Sequence, residues 1–183
     1  MGAILTQAAA WINVEQAIAN LKVAKALTPA ALLELPLNRL ADLIRPSGYY
    51  NAKAVKLRAF AERLHSRYGG DLGRLFALDT AALRRELLSI HGIGPETADS
   101  IILYAAKRPT FVIDAYTRRI LSRLGLAPET DSYHAFQALF IQNLPLDEGP
   151  YNEYHALLVR HGKEVCHRVP RCSGCCLREL CPY

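Results

Sequence analysis

The chain has 183 residues, 51% of them hydrophobic, with no low-complexity tract; this suits one large domain or two small lobes and excludes a disordered or fibrous protein. No window approaches the roughly 18 uninterrupted apolar residues of a membrane span, and "MGAILTQAAAW" has no positively charged leader, so a soluble, cytoplasmic protein is expected. The formal charge of +5 is mild, but residues 39–67 hold seven Lys/Arg against Asp42 and Glu62, and residues 107–123 hold five against Asp114 alone. Two such stretches suit a phosphate-facing surface, and equally the solvated faces of helices.

Helix punctuation runs from end to end. Asn13 with Gln16 three residues on is a capping-box variant that opens a helix to about residue 27, and Thr28-Pro29 caps and starts the next. A short helix is expected through "NRLADLIR". A long amphipathic one opens at Asn51, with Ala54, Leu57, Phe60, Ala61 and Leu64 on one face, and closes at Gly69-Gly70. Asp79-Thr80 starts "AALRRELLSI". Helices are then expected from Pro95 to about 107, from Asp114 or Ala115 to Leu124, and near 132–143 and 151–161. The longest strand-like run is "PTFVI", so the pattern is all-α, a bundle of about nine or ten helices.

Between two of these helices lies "IHGIGPETADSIILY". Gly92 and Gly94 flank Ile93, and Pro95 falls at the first helical position, a tight helix–hairpin–helix connection. Glycines there let the backbone approach a ligand, and the N–H groups opening the next helix stand at its positive dipole end, so the hairpin suits an anion such as a phosphate. An ordinary turn between helices has the same composition. Position favours the anion site, because the hairpin lies between the two basic stretches and Asp114 follows.

All five cysteines fall between Cys166 and Cys181, which in a chain of this kind favours a metal over a disulfide framework. Cys166, Cys172, Cys175 and Cys181 read C-x5-C-x2-C-x5-C, with Cys176 as an extra thiol. Four thiolates so close together can wrap one zinc ion or an iron–sulfur cluster; zinc sites usually pair two short knuckles, and only one is present.

The stretch "HGIGPETADSIILYAAKRPTFVIDAYTRRILSRLG" resembles the helix-hairpin-helix, Gly/Pro-rich loop and Asp signature of the endonuclease III (HhH-GPD) superfamily of DNA glycosylases. The similarity extends through "ILTQAAAWINVEQA", "SGYYNAKAVKL" and the terminal cysteine loop. It implies an all-α, two-lobed fold, with a helical lobe over residues 1–108 carrying the hairpin and a lobe over 109–183 carrying the catalytic aspartate and a cluster loop. Met1 already falls within the family's second helix, so the usual first helix has no counterpart. A monomer acting on double-stranded DNA with a damaged base, associated with the nucleoid, is expected.

By the same resemblance Asp114 is the catalytic carboxylate, which would stabilise the positive charge that develops on deoxyribose as the N-glycosidic bond breaks. The lysine with which strand-cleaving members form a Schiff base is replaced by Glu96, which cannot form an imine. Lys53 and Lys107 are other amines, and nothing in the sequence places either at the pocket. The implied activity is a monofunctional glycosylase, and "GIGPETADSIILYA" resembles the 3-methyladenine branch, whose cationic bases suit an acidic, aromatic pocket. Rival readings are a bifunctional glycosylase/AP lyase, a mismatch thymine or uracil glycosylase, and a non-catalytic DNA-binding protein. Trp11, Tyr49, Tyr50, Tyr104 and Tyr151 are candidates for base stacking, and equally for core.

Gly92, Ile93 and Gly94 would grip a phosphate, with a monovalent cation under the hairpin carbonyls. The family's gap-filling side chain aligns with Ala8, leaving Gln7 as its substitute. The family's cysteine pattern is C-x6-C-x2-C-x5-C around a [4Fe–4S] cluster; this chain is one residue shorter in the first interval, with Cys176 an alternative to Cys175. The loop between the first two ligands would present Arg168 and Arg171 to phosphates.

Overall fold

The computed structural model describes residues 1–183 and is helical throughout, with eleven α-helices, three short 3-10 turns and no strand. Two compact units divide at Ala98/Asp99, within one helix.

The first unit holds α1 (Gly2–Leu5), α2 (Trp11–Val23), α3 (Pro29–Glu34), α4 (Leu37–Leu43), α5 (Tyr50–Tyr68), α6 (Leu72–Phe76) and α7 (Thr80–Leu88). The long α5 is its axis, packing against α1, α3, α4 and α6. Its inward stripe of Ala54, Leu57, Ala61 and Leu64 is the predicted one with Phe60 only half-buried, and it also contains Lys53. Caps read from sequence hold at Thr28, whose hydroxyl accepts from Ala31 N–H, and at Asp79, which accepts from Ala82 N–H. Asn13 caps nothing: α2 starts two residues earlier, behind Ala10. It also stops at Val23 rather than near 27, because Lys25 takes a left-handed φ of 55° and Ala26 N–H turns back to Leu21 O.

The boundary helix, α8 (Pro95–Tyr104), leads into the second unit, with α9 (Ala115–Arg123), α10 (Tyr133–Asn143) and α11 (Glu148–Glu164). The last of these is longer at both ends than the expected 151–161. Here α11 packs on α9, and a Cβ at Gly162 would meet the Tyr116 side chain at 2.6–2.9 Å, so the closest approach of the pair requires glycine.

The strand-like "PTFVI" is extended but unpaired. Phe111, Val112 and Ile113 are all buried, leaving no solvent face to alternate with, and side chains take the place of a partner strand. Gln137 Nε2 donates to Phe111 O at 2.7 Å, and Ile113 N–H donates to the Tyr133 hydroxyl at 3.3 Å. Gln137 also reaches the buried Asp99 Oδ2 at 2.9 Å and Thr110 Oγ1 at 3.3 Å. Phe111 stacks on Phe140 with ring centroids 3.5 Å apart and meets Tyr151 edge-on. Full burial of Phe111 contributes about 1.5–3 kcal/mol. The segment that delivers Asp114 is thus held by packing on both sides.

Candidate active site

The hairpin belongs to the first unit. Between α7 and α8, Ile93 donates its N–H to Ile90 O and buries its side chain, leaving Gly94 exposed just before Pro95. Gly92 has φ 80°, and a Cβ there would lie 2.3–2.9 Å from the Lys56 stem, so both conformation and space demand glycine. Lys56 Nζ donates to Gln7 Oε1 at 2.6 Å, while Gln7 Nε2 donates to Gly92 O at 3.1 Å and Thr97 Oγ1 at 2.8 Å. Gln7 is therefore built into the hairpin. Next to it, Ala8 has a left-handed φ of 49°, a conformation costing a non-glycine residue about 1–2 kcal/mol. Glu96 is exposed in the first turn of α8.

Two other lysines are committed. Lys53, 1% exposed, donates to Leu5 O at 2.8 Å and Ser47 O at 2.6 Å; burial, and secondarily the Lys56 charge, push its ammonium below the usual range. Lys107 pairs with Glu148 at 3.2 Å. Much of the basic stretch 39–67 is likewise spent within the unit: Arg63 and Arg67 pair with Glu86, Arg45 with Asp42, and Arg58 donates to Leu35 O. Of the aromatic candidates, Tyr151 is wholly buried in the core, Tyr50 is covered by the Arg45 guanidinium, and Trp11 and Tyr49 are exposed.

In the second unit Asp114 caps α9, its Oδ1 accepting Thr117 N–H at 2.7 Å. Oδ2 lies 3.8 Å from His155 Nε2, and His155 Nδ1 is hydrogen-bonded to the Tyr104 hydroxyl. Burial holds the imidazole below the usual histidine range, with Asp114 only partly opposing. Burial, and then the Asp114 charge, push the Tyr104 phenol up to about 12. The carboxylate is thus fixed by one oxygen, with the other beside an uncharged ring. Capping uses Oδ1 alone, so Oδ2 stays outside the cap. Sequence reading had no place for His155, although its position one turn after Tyr151 on α11 puts it on the same face as that core residue.

The cysteine loop follows α11. Cys166, Cys172, Cys175 and Cys181 line one cavity with His161 and Leu177, whereas Cys176 is exposed and outside it; all five are free thiols. Arg123, ending α9, donates to Cys166 Sγ at 3.2 Å and to the carbonyls of His167 and Arg168 at 2.6 and 2.8 Å. Arg119 donates to Cys166 O at 2.8 Å. Arg168 and Arg171 are exposed. No group of three or more His, Cys, Asp or Glu side chains is gathered closely enough for a single metal ion.

The chain thus carries a glycine hairpin in its first unit, and an aspartate-capped helix and a tail of clustered thiols in its second. The chain belongs to the HhH-GPD superfamily of base excision DNA repair proteins, whose family model matches residues 1–145. It is 45% identical, over 99% of its length and 83% of the relative's, to MJ1434 of Methanocaldococcus jannaschii, a protein assigned as a DNA repair glycosylase. The H. pylori 3-methyladenine DNA glycosylase MagIII, solved bound to 1,N6-ethenoadenine, superposes with a TM-score of 0.77 at 28% identity, covering 89% of this chain and 82% of that one. A non-covalent endonuclease III–DNA complex shares the fold, with a TM-score of 0.84 at 24% identity over 99% of this chain and 80% of its own.

Proposed function

We propose that this protein is a monofunctional DNA glycosylase that binds damaged double-stranded DNA and hydrolyses the N-glycosidic bond of an alkylated purine such as 3-methyladenine. The observation that carries the reading is Asp114, locked through Oδ1 to Thr117 N–H with Oδ2 left for chemistry. As the C1′–N bond breaks, the base leaves with the bonding pair and Asp114 faces the positive charge left on the sugar. Water then adds to C1′, giving up its proton through the carboxylate. A cationic alkylated base departs neutral, so little acid assistance is needed. Glu96 stands where strand-cleaving relatives have the Schiff-base lysine, and Lys53 and Lys107 are engaged elsewhere. The 28% likeness to MagIII, a 3-methyladenine glycosylase by name, supports the choice of base.

Backbone at Gly92 and Gly94, with the exposed Arg168 and Arg171, would carry the phosphate contacts. The four cysteines lining one cavity would supply the four thiolates of a [4Fe–4S] cluster, with His161 lining the same cavity. When bound, the cluster would hold the loop's conformation; Arg123 N–H would stabilise the Cys166 thiolate. The test is base release from duplexes carrying 3-methyladenine, 1,N6-ethenoadenine, thymine glycol or a T·G or U·G mismatch, with and without alkali. Release of the alkylated or etheno base with strand breaks only after alkali is expected. Abundant borohydride-trapped adduct at matched turnover would overturn the monofunctional reading.

A further inference from the structure

We propose that Tyr104 and His155 are positioning residues for Asp114: the Tyr104 hydroxyl donates to His155 Nδ1 and so fixes the ring proton on Nε2, aimed at Asp114 Oδ2. The inference rests on the glycosylase reading above and deepens it. His155 is 8% exposed, and its Nε2 is buried without a hydrogen-bond partner. Asp114 Oδ2 stands 3.8 Å from that nitrogen, about 0.6 Å beyond a hydrogen bond. The ring's other nitrogen meets the Tyr104 hydroxyl, and Phe111 closes on the ring edge-on with centroids 6.5 Å apart.

The ionisable groups facing the imidazole are Asp114 and Tyr104. With its phenol raised to about 12, Tyr104 keeps its proton at any working pH and has it to donate, and the carboxylate facing Nε2 favours a proton rather than a lone pair on that nitrogen. Burial keeps the ring uncharged, so it carries one proton, and an Nδ1 that accepts from tyrosine leaves that proton on Nε2. The choice of a neutral donor has a chemical consequence. A cationic imidazolium beside Asp114 would offset the negative charge that must face the sugar, whereas a neutral N–H orients the oxygen and leaves that charge in place. Since Thr117 already holds Oδ1, an N–H directed at Oδ2 fixes the rotation of the carboxylate. Catalytic hydrogen bonds often close only with substrate present, and about 0.6 Å of closure suffices here.

The test has two independent readouts. Nitrogen-15 shifts of the His155 ring should show a protonated Nε2 and a bare Nδ1, with Tyr104→Phe shifting the tautomer balance; a proton on Nδ1 in the wild type would overturn the proposal. Single-turnover base release on the fastest duplex of the panel should fall about thirtyfold in His155→Leu and about tenfold in Tyr104→Phe. His155→Gln, which keeps a donor at the Nε2 position, should recover to within about fivefold of wild type. Affinity for a duplex carrying a tetrahydrofuran abasic analogue should stay within about threefold throughout. Glutamine failing as badly as leucine, or losses appearing in affinity instead of rate, would overturn it. If His155→Leu does not fold, Tyr104→Phe and the shifts decide alone. Asp114→Asn run alongside separates the two claims: unchanged release there brings down the glycosylase reading and this role together. A dead Asp114→Asn beside fully active His155 and Tyr104 variants removes the positioning role only.

Discussion

Gln7 Nε2 donates to Thr97 Oγ1 over 2.8 Å, tying the segment after α1 to the first turn of α8 across ninety positions of sequence. The same amide holds Gly92 O and its oxygen takes the Lys56 ammonium, so one short side chain closes three elements around the hairpin. Gln7→Ala leaves all three partners without it and should cost about 1–3 kcal/mol, read as a lower urea midpoint with an unchanged slope.

Gly92→Ala adds two penalties, a left-handed φ and a collision with the Lys56 stem. Destabilisation of at least about 1 kcal/mol is expected from the backbone term alone. The double variant Gly92→Ala/Lys56→Ala should be less destabilised than the sum of the two single changes, because the clash exists only when both side chains are present. A double-mutant cycle in urea measures the difference.

Asp114→Asn should slow base release severely while sparing the fold. Asparagine caps helices as well as aspartate, so stability should change by less than about 0.5 kcal/mol. Removing the charge should slow base release by about a hundredfold or more, with the affinity for an abasic-analogue duplex retained. Thermal melts, single-turnover kinetics and a binding titration check the three parts.

His155 makes stability depend on acidity. Its folded value lies below the ordinary 6.5 because burial favours the neutral ring, so between the folded value and 6.5 the unfolded chain binds more protons. Its contribution is full above 6.5 and is lost as pH falls through the folded value. Urea unfolding across pH 5–8 should show stability rising with pH in the acidic part of this window, and His155→Gln should flatten that slope.

The thiols should separate by position. Cys176→Ser, outside the cavity, should leave iron and acid-labile sulfide content unchanged, whereas Cys175→Ser should lose both along with the brown absorbance. A full iron complement in Cys175→Ser would exchange the two assignments.

Local chemistry was the legible part of this fold. Thr28, Asp79, Asp114 and Ser132 each accept an N–H from the first turn that follows them, a relation three residues long and written in the chain. The all-helical class and the family followed from the same short-range patterns. Asn13 misled because a good cap residue can lie inside a helix that starts earlier. "PTFVI" has a strand-like composition because the segment is extended and buried, with Gln137 and Tyr133 supplying hydrogen bonds where a partner strand would. What the sequence does not show are the distant partners: Thr97 for Gln7, which it singles out only as a gap-filling side chain, Asp99 for Gln137, and Tyr104 for His155, fifty-one positions apart. Periodicity places such side chains on a face, and only the folded chain says what that face meets.

Helix α9 begins at the carboxylate of Asp114 and ends at Arg123, whose guanidinium grips Cys166 and the two carbonyls after it. Its nine residues contain neither glycine nor proline and span about 14 Å. The helix is a stiff strut with the proposed chemistry at one tip and the thiol loop clamped to the other. The loop and the carboxylate thus share one rigid element, although they lie at opposite ends of it.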